Sequence, residues 1–437
     1  MTIPAARRPN EPSIFERRES VVRSYCRRLD CILDTAEGSV VRDITGREYL
    51  DFVAGAGSLN YGHNDPDMRA ALIAHLQRGG ISHSLDMFSA AKSAFLTTFE
   101  SLVLAPRGMD HRVQFTGPTG TNAVEAALKL ARKVTGRTNV IAFTNGFHGV
   151  SQGALAATGN RHHRGGPHIP LYGVTRMPYD GYLGDVDTAD LLERMLRDPA
   201  SGLDAPAAIL LETVQGEGGL NVASPAWLRR IAELARAHNA LLVVDDVQAG
   251  CGRTGTFFSF EPFGFVPDLV VLSKSISGYG LPMALLLIRP EYDVWLPGEH
   301  NGTFRGNVHA FVTARVALEK FWSTPDLAAD VARRSQLLAR RLAEMADLVP
   351  GAIVKGRGMM CGIDVGSGPR ADAVIRRCFA DGLMLETAGP YDQVVKLLPP
   401  LTTPDKILDD GLDILLAAAR AVPSGRESRG SSGLVTT

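Results

Sequence analysis

A lysine ends one of the most apolar stretches of this 437-residue chain. The run "LVVLSK" ends on Lys274 and is followed by small residues and glycines, "SISGYG". A buried ammonium is costly unless it is paired or deprotonated, and burial readily lowers the pKa of a lysine. A lone lysine at a strand end usually keeps its amine in water, so a chemical role depends on partners elsewhere in the chain.

A pair of acids ends a second apolar run. "LLVVDD" places Asp245 and Asp246 after four apolar residues. In open α/β sheets, ligands bind at the edge where parallel strands have their carboxyl ends. Lys274 and an acid at neighbouring strand ends could form only a salt bridge. Pyridoxal phosphate offers another reading, because it needs a lysine for a Schiff base and a carboxylate beside its pyridine nitrogen.

A glycine-rich segment could hold the phosphate of such a cofactor. "FTGPTGTNAVEAALKLAR" puts Gly117, Gly120 and Thr121 just before an amphipathic helix, whose free N–H groups and dipole favour an anion. Ordinary helix capping gives the same pattern, but the segment lacks the Gly-Lys-Ser/Thr ending of a nucleotide P-loop. In "FTNGFHG", Phe147 follows another apolar run, where its ring could stack on a flat cofactor or simply join the core.

Two other motifs suggest different chemistry. "GCGRTG" (residues 250–255) has the glycine spacing of a dinucleotide-binding turn, but the aromatic, proline-containing "TFFSFEPFGF" follows it where a helix should begin. We therefore disfavour a nicotinamide-binding protein. "RHHRGGPH" brings His162, His163 and His168 together without a carboxylate or thiolate partner, which favours solvent-facing histidines and predicts no metal site.

The elements that must position these residues alternate between strand and helix. Short runs rich in Val, Ile and Leu, such as "NVIAFT" and "AAILLET", are separated by amphipathic segments such as "PAWLRRIAELARAH". This alternation predicts an α/β fold with a mostly parallel central sheet, helices on both faces and a smaller α+β domain. We predict an N-terminal arm with part of the small domain over 1–75, a large domain over 76–310, a C-terminal small domain over 311–422 and a disordered tail over 423–437.

Composition narrows the class of protein. The net charge of −1 argues against a nucleic-acid partner, and no apolar run is long enough to cross a bilayer. The five cysteines show no paired metal-ligand spacing and no even disulfide count. We therefore expect a soluble cytoplasmic protein without nucleic-acid or membrane partners.

In combination, the motifs resemble a known family. "LLVVDDVQAGCGRTG", "SKSISGYGLPMA" and "HNGTFRGN", with the glycine-rich segment upstream, resemble the class III pyridoxal-phosphate aminotransferases of fold type I, from about Phe15 to Ala421. The resemblance implies that Lys274 forms the Schiff base and that Asp245 pairs with the pyridine nitrogen. The remaining residues that it implies around the cofactor are Gly120, Thr121, Phe147, His148, Glu212, Val247, Gln248 and, reaching the phosphate of a neighbouring subunit, Thr303. The family thus implies a homodimer or larger homo-oligomer.

Within this class, "MPYDGY", "ETVQGEGGLNVAS" and "VVKLLPPLT" are similar to the diaminobutyrate–2-oxoglutarate transaminases. That branch implies interconversion of 2,4-diaminobutyrate plus 2-oxoglutarate with aspartate 4-semialdehyde plus glutamate, for ectoine or for diaminobutyrate-containing peptides and siderophores. Glu217 and Lys396 are implied to bind these amino and oxo acids. The class commonly has an acid at the position of Asn122 and a glutamate at the position of Asp246. Related ω-aminotransferases have an arginine at the position of Lys396. An enzyme acting on ornithine, 4-aminobutyrate or lysine is the alternative.

Overall fold

The computed structural model describes residues 13–165 and 170–422. The tail over 423–437, His168 and the first twelve residues of the N-terminal arm lie outside these ranges. The helices are α1 (Ile14–Arg18), α2 (Ala54–Gly57), α3 (Pro66–Gln77), α4 (Ala90–Phe99), α5 (Gly120–Thr135), α6 (Gln152–Ala157), α7 (Thr188–Arg197), α8 (Pro225–Ala237), α9 (Val308–Phe321), α10 (Asp326–Leu348), α11 (Gly368–Ala380) and α12 (Asp405–Ala421).

Most strands are short, with two to five residues each. They are β1 (Leu33–Glu37), β2 (Val40–Asp43), β3 (Glu48–Asp51), β4 (Arg112–Phe115), β5 (Val140–Phe143), β6 (Val174–Met177), β7 (Ala208–Leu211), β8 (Val214–Gln215), β9 (Asn221–Val222), β10 (Leu241–Asp245), β11 (Leu269–Leu272), β12 (Leu285–Ile288), β13 (Ile353–Arg357), β14 (Met360–Asp364), β15 (Leu383–Met384), β16 (Glu386–Ala388) and β17 (Val394–Leu397).

A seven-stranded sheet forms the centre, in the order β4-β12-β11-β10-β7-β5-β6. Every pairing from β11 to β6 is parallel, and β12 alone runs antiparallel to both of its neighbours. Alternate strand residues join two apolar clusters, one with α5 and the other with α4, α7, α8 and α9. Helices therefore cover both faces, and the predicted α/β fold is confirmed. The direction of β12 was not predicted, because "ALLLI" carries no sign of it.

The described residues also form two four-stranded sheets and a two-stranded one, in which β8 pairs with β9. A hairpin that turns at Thr45 and Gly46 joins β2 to β3, and β3 also pairs in parallel with β15. A second sheet has the order β13-β14-β17-β16 and packs with α10, α11 and α12 around its own apolar cluster. Residues from both ends of the chain thus share one sheet, as the predicted small domain requires, while the exact division into domains stays a prediction.

The glycine-rich "GCGRTG" segment has a structural role. Within the described part of the chain no helix begins between Gly250 and Gly255, so the feature that a dinucleotide-binding turn requires is missing. Arg253 is fully buried and donates to the side chain of Asn60 and the backbone carbonyl of Pro399. The guanidinium thereby ties the turn after β10 to segments near both ends of the chain.

Candidate active site

Lys274 lies at the carboxyl edge of the central sheet, two residues after β11 ends. Its backbone has φ of 51°, a left-handed conformation that is costly for a residue with a Cβ and that concentrates at functional sites. Among the described residues, no side chain forms a hydrogen bond or ion pair with its amine. Burial lowers the pKa of Lys274, and the nearby Lys396 charge adds to that effect.

Asp245 is the last residue of β10, the parallel neighbour of β11. Its Oδ2 atom lies 2.8 Å from Nδ1 of His148, and its Oδ1 atom accepts a hydrogen bond from the Val247 amide at 3.2 Å. Asp246 points elsewhere, because its carboxylate accepts from the Ser259 amide at 2.9 Å. Of the two predicted acids, Asp245 alone faces the edge shared with Lys274.

His148 follows β5 and is buried behind Asp245. Burial by itself lowers the pKa of His148, but the hydrogen bond and charge of Asp245, helped by the charge of Glu212, outweigh it and raise the pKa. The imidazole therefore acts as a donor that fixes the Asp245 carboxylate. The resemblance implied a cofactor contact for His148, and its observed partner is Asp245.

The amino end of α5 faces the same edge. Thr119 caps this 16-residue helix, and the first amides, including those of Gly120 and Thr121, have no acceptor within the helix. A Cβ at Gly120 would lie 3.1 Å from a methyl group of Val247, so glycine keeps this approach open. Asn122, which replaces the acid common in the class, accepts from the Gly117 amide at 2.8 Å and closes the loop before the helix.

Gln248 contacts one of the charged residues near this edge of the sheet. Its Nε2 atom donates to the Ala56 carbonyl at 3.1 Å and to Oε1 of Glu217 at 3.2 Å. Its own Oε1 atom is buried and has no hydrogen-bond partner among the described residues. A Cβ on Gly216 would lie 1.9 Å from that oxygen, so this glycine lets the amide reach its position.

Glu212 shapes the loop that carries Phe147. Its two carboxylate oxygens accept from the Phe147 amide at 2.9 Å and the Gly216 amide at 3.1 Å. Burial raises the pKa of Glu212 to about 7, although the His148 charge opposes this rise. The Phe147 ring meets the His163 ring edge-on, with centroids 5.1 Å apart.

Lys396, on β17, is completely buried and contacts two carboxylates. Its Nζ atom lies 2.8 Å from Oε1 of Glu217 and 2.9 Å from Oε1 of Glu386. Burial favours a higher pKa for Glu217, but the charges of Lys396 and Lys274 outweigh it and lower the pKa to about 2. Burial also raises the pKa of Glu386, and the charge of Lys396 opposes this rise. The structure thus brings the two predicted substrate residues into direct contact.

Three residues of this region were missed by sequence reasoning. Glu386 and Tyr25 lie in stretches without any motif, and only the three-dimensional structure brings them to Lys396. His163 is exposed, as expected, but it lines the opening of the site with Phe147 and Glu217. Thr303 is exposed too, and within the described ranges its hydroxyl has no hydrogen-bond partner, so its predicted contact with a neighbouring subunit stays a prediction.

The described residues also limit other kinds of site. Residues 13–165 and 170–422 contain no group of three or more His, Cys, Asp or Glu side chains that could hold a metal ion. No helix in these ranges combines the length and the apolar character needed to cross a membrane.

Curated relatives match more than nine-tenths of this chain. It is 56% identical over 404 residues to the diaminobutyrate–2-oxoglutarate transaminase of Vibrio cholerae serotype O1, which covers 92% of this chain and 98% of that protein. The enzyme of the same name from Nocardia farcinica is 54% identical over 417 residues, covering 95% of each chain. These relatives confirm the predicted resemblance to that branch.

Solved structures agree on the fold. The ornithine aminotransferase of Toxoplasma gondii ME49 aligns with a TM-score of 0.79 and 28% identity over 93% of this chain and 94% of that one. The N-acetylornithine aminotransferase of Stenotrophomonas maltophilia aligns with a TM-score of 0.71 and 31% identity over 90% and 96%. The family profile described as Aminotransferase class-III matches residues 23–419. The predicted family is therefore confirmed, and this chain belongs to the class III aminotransferases.

Proposed function

We propose that the chain interconverts L-2,4-diaminobutyrate plus 2-oxoglutarate with L-aspartate 4-semialdehyde plus L-glutamate, with pyridoxal phosphate as its cofactor. The observation that carries the proposal is the Lys274 amine, which pairs with no side chain in the described part of the chain and which a left-handed turn presents at the same sheet edge as Asp245. Relatives at 52–56% identity that carry the name diaminobutyrate–2-oxoglutarate transaminase support the choice of substrates.

The described residues fit the parts of this cofactor. The free amides at the start of α5, at Gly120 and Thr121, suit a phosphate. The unpartnered Oε1 atom of Gln248 suits the ring hydroxyl, because that hydroxyl can donate a hydrogen bond. Asp245 would pair with the ring nitrogen, while Phe147 and Val247 would pack on the ring faces and Glu212 would hold the Phe147 loop.

Lys274 is suited to covalent attachment and to proton transfer. When bound, pyridoxal phosphate supplies an electron sink for the electrons left behind when a proton leaves the substrate carbon. The lowered pKa of Lys274 increases the fraction of free amine, which can take that proton and return it elsewhere. Asp245, held by His148, keeps a negative charge beside the site during this transfer.

The substrates differ at the reacting carbon. The terminal carbon of diaminobutyrate carries no carboxylate, whereas the α-carbon of glutamate carries one. We propose that Lys396 and Glu217 let the site accept both substrates, because the Lys396 ammonium can exchange the Glu217 carboxylate for a substrate carboxylate.

We also propose that the protein is a homodimer in the cytoplasm. Ile81, Leu85, Met87 and Phe88 form an exposed apolar surface, with Phe88 fully exposed, and Phe304 beside Thr303 is also exposed. A second copy of the chain would cover this surface and bring Thr303 to the partner's phosphate site. All five cysteines are free, which supports a reducing compartment.

A donor and acceptor panel tests the proposed reaction. Purified holoenzyme is assayed at steady state with diaminobutyrate, ornithine, 4-aminobutyrate and lysine, each with 2-oxoglutarate. We expect the largest kcat/KM with diaminobutyrate. A clear preference for another donor would assign the chain to another ω-aminotransferase, and absence of transamination with tight nicotinamide binding would refute the proposal.

A further inference from the structure

Lys396 contacts two carboxylates, although one is enough to neutralise its charge. One ammonium contacts both Glu217 and Glu386, at 2.8 and 2.9 Å, in a position that water does not reach. Neutralising Lys396 takes a single carboxylate, and burying a second carboxylate beside it adds a desolvation cost. Its presence requires an explanation in terms of function.

The two carboxylates differ in exposure and in their contact with Lys396, which donates a hydrogen bond to Glu217 and forms an ion pair with Glu386. Glu386, on β16, lies directly across from Lys396 on the antiparallel β17, and its side chain is 6% exposed. Tyr25 lies nearby and is 50% exposed, and burial of its hydroxyl together with the Glu386 charge raises the pKa of Tyr25. Glu217 lies in the connection between β8 and β9 and is 30% exposed at the opening of the site.

We propose that Glu386 is a specificity-determining residue, the permanent counter-ion that keeps Lys396 in place while Glu217 yields its position to a substrate carboxylate. The inference rests on the proposed function. In this exchange one carboxylate replaces another, so Lys396 has two anionic partners before and after, and no charge is left buried and unpaired. Without Glu386, the flexible lysine would have a single partner and would follow Glu217 as it moves.

This arrangement also explains a lysine where related enzymes have an arginine. A lysine ammonium is a compact charge with three donors, so it can serve two carboxylates that approach from different directions. An arginine fork suits one carboxylate in a planar, two-pronged contact. The exchange of Glu217 for a substrate carboxylate is needed when glutamate or 2-oxoglutarate reacts, because their reacting carbon carries a carboxylate. It is not needed when diaminobutyrate reacts, because its terminal carbon carries none.

The two half-reactions separate this role from a general structural one. Holoenzyme with Glu386→Gln is mixed with glutamate or with diaminobutyrate alone, and conversion of the bound cofactor is followed by stopped-flow absorbance. We expect the apparent dissociation constant for glutamate to rise about tenfold, which corresponds to about 1.4 kcal/mol, and that for diaminobutyrate to change less than threefold. Asp364→Asn, an acid of the same sheet that contacts Gln393 instead of Lys396, is the control and should change neither value.

Two results would overturn the proposal: an equal loss with both donors, or no loss with glutamate. If Glu386→Gln does not accumulate as holoenzyme, Glu386→Asp takes its place, because its shorter side chain keeps the charge but not the contact, and the same selective loss is expected. If the wild-type enzyme prefers another terminal amine, that donor replaces diaminobutyrate in the comparison. Failure of the proposed substrate is therefore distinguished from failure of the Glu386 assignment.

Discussion

His148 donates through Nδ1 to Oδ2 of Asp245 at 2.8 Å, and both side chains are buried. The pair joins the segment after β5 to the end of β10, two strands that are not neighbours in the sheet. An imidazole that keeps its proton fixes the orientation of the carboxylate and supports its negative charge. The acid expected to face the cofactor ring is thus positioned by a residue more than ninety positions away in the sequence.

The His148–Asp245 pair should contribute stability that depends on pH. The folded pKa of His148 is raised above its unfolded value of about 6.5, so its contribution is complete below that value and is lost as pH rises through the folded pKa. We expect His148→Gln to lower the free energy of unfolding by about 1–3 kcal/mol at pH 6, with a smaller difference at pH 9. Denaturant unfolding of the wild type and the variant between pH 6 and pH 9 measures this difference. A difference that grows with pH would contradict the proposed stabilisation by the protonated His148.

Replacing Lys274 should abolish both covalent cofactor binding and transamination. Lys274→Ala removes the amine that we assign to the Schiff base and to proton transfer, so the absorbance of the covalently bound cofactor should disappear. Borohydride reduction followed by peptide mapping of the wild type should place the label on Lys274. Lys355→Ala is a matched control, because Lys355 is also partly buried and has a lowered pKa but contacts Asn221. A label elsewhere would refute the role of Lys274.

Replacing Asp245 should slow the reaction without preventing folding. Asp245→Asn keeps the shape and an acceptor for the Val247 amide but removes the charge expected beside the ring nitrogen. We expect kcat to fall by roughly 10²–10³-fold, the range for loss of one preorganised electrostatic contact. Steady-state rates, with circular dichroism as the folding control, measure this effect. Near-normal turnover would mean that another acid serves the nitrogen.

The sequence predicted the parts of the site that depend on strand ends. Lys274 and Asp245 end apolar runs, and the carboxyl ends of parallel strands meet at one edge, so their proximity follows from the fold class. The start of α5 was also recognisable, because Gly120 and Thr121 precede a helix with regular apolar spacing.

The remaining contacts depend on strand register and on pairings between distant segments, which no local motif encodes. Glu386 meets Lys396 only because β16 and β17 pair in one particular register. Tyr25 reaches the same group from the N-terminal segment, and Arg253 buries its charge against Asn60 and Pro399. Tyr25 and Arg253 look like ordinary surface residues in the sequence, because their partners lie more than one hundred positions away. Glu386 is close to Lys396 in the sequence, but no motif marks the register that places the two side chains opposite each other.

Mixed dimers test whether Thr303 acts across the subunit interface. In a heterodimer of Lys274→Ala with Thr303→Ala, the site built around the intact Lys274 would receive an intact Thr303 from the other subunit, while the second site would carry both changes. Denaturing and refolding the two variants together should therefore raise activity above that of the Thr303→Ala homodimer, approaching half of the wild-type activity in isolated heterodimers. If Thr303 acts within its own chain, the intact Lys274 stays with the altered threonine and no gain appears. Light scattering of the wild type provides the companion measurement, and a monomer would refute the proposed dimer because the exposed Phe88 surface would then have no partner.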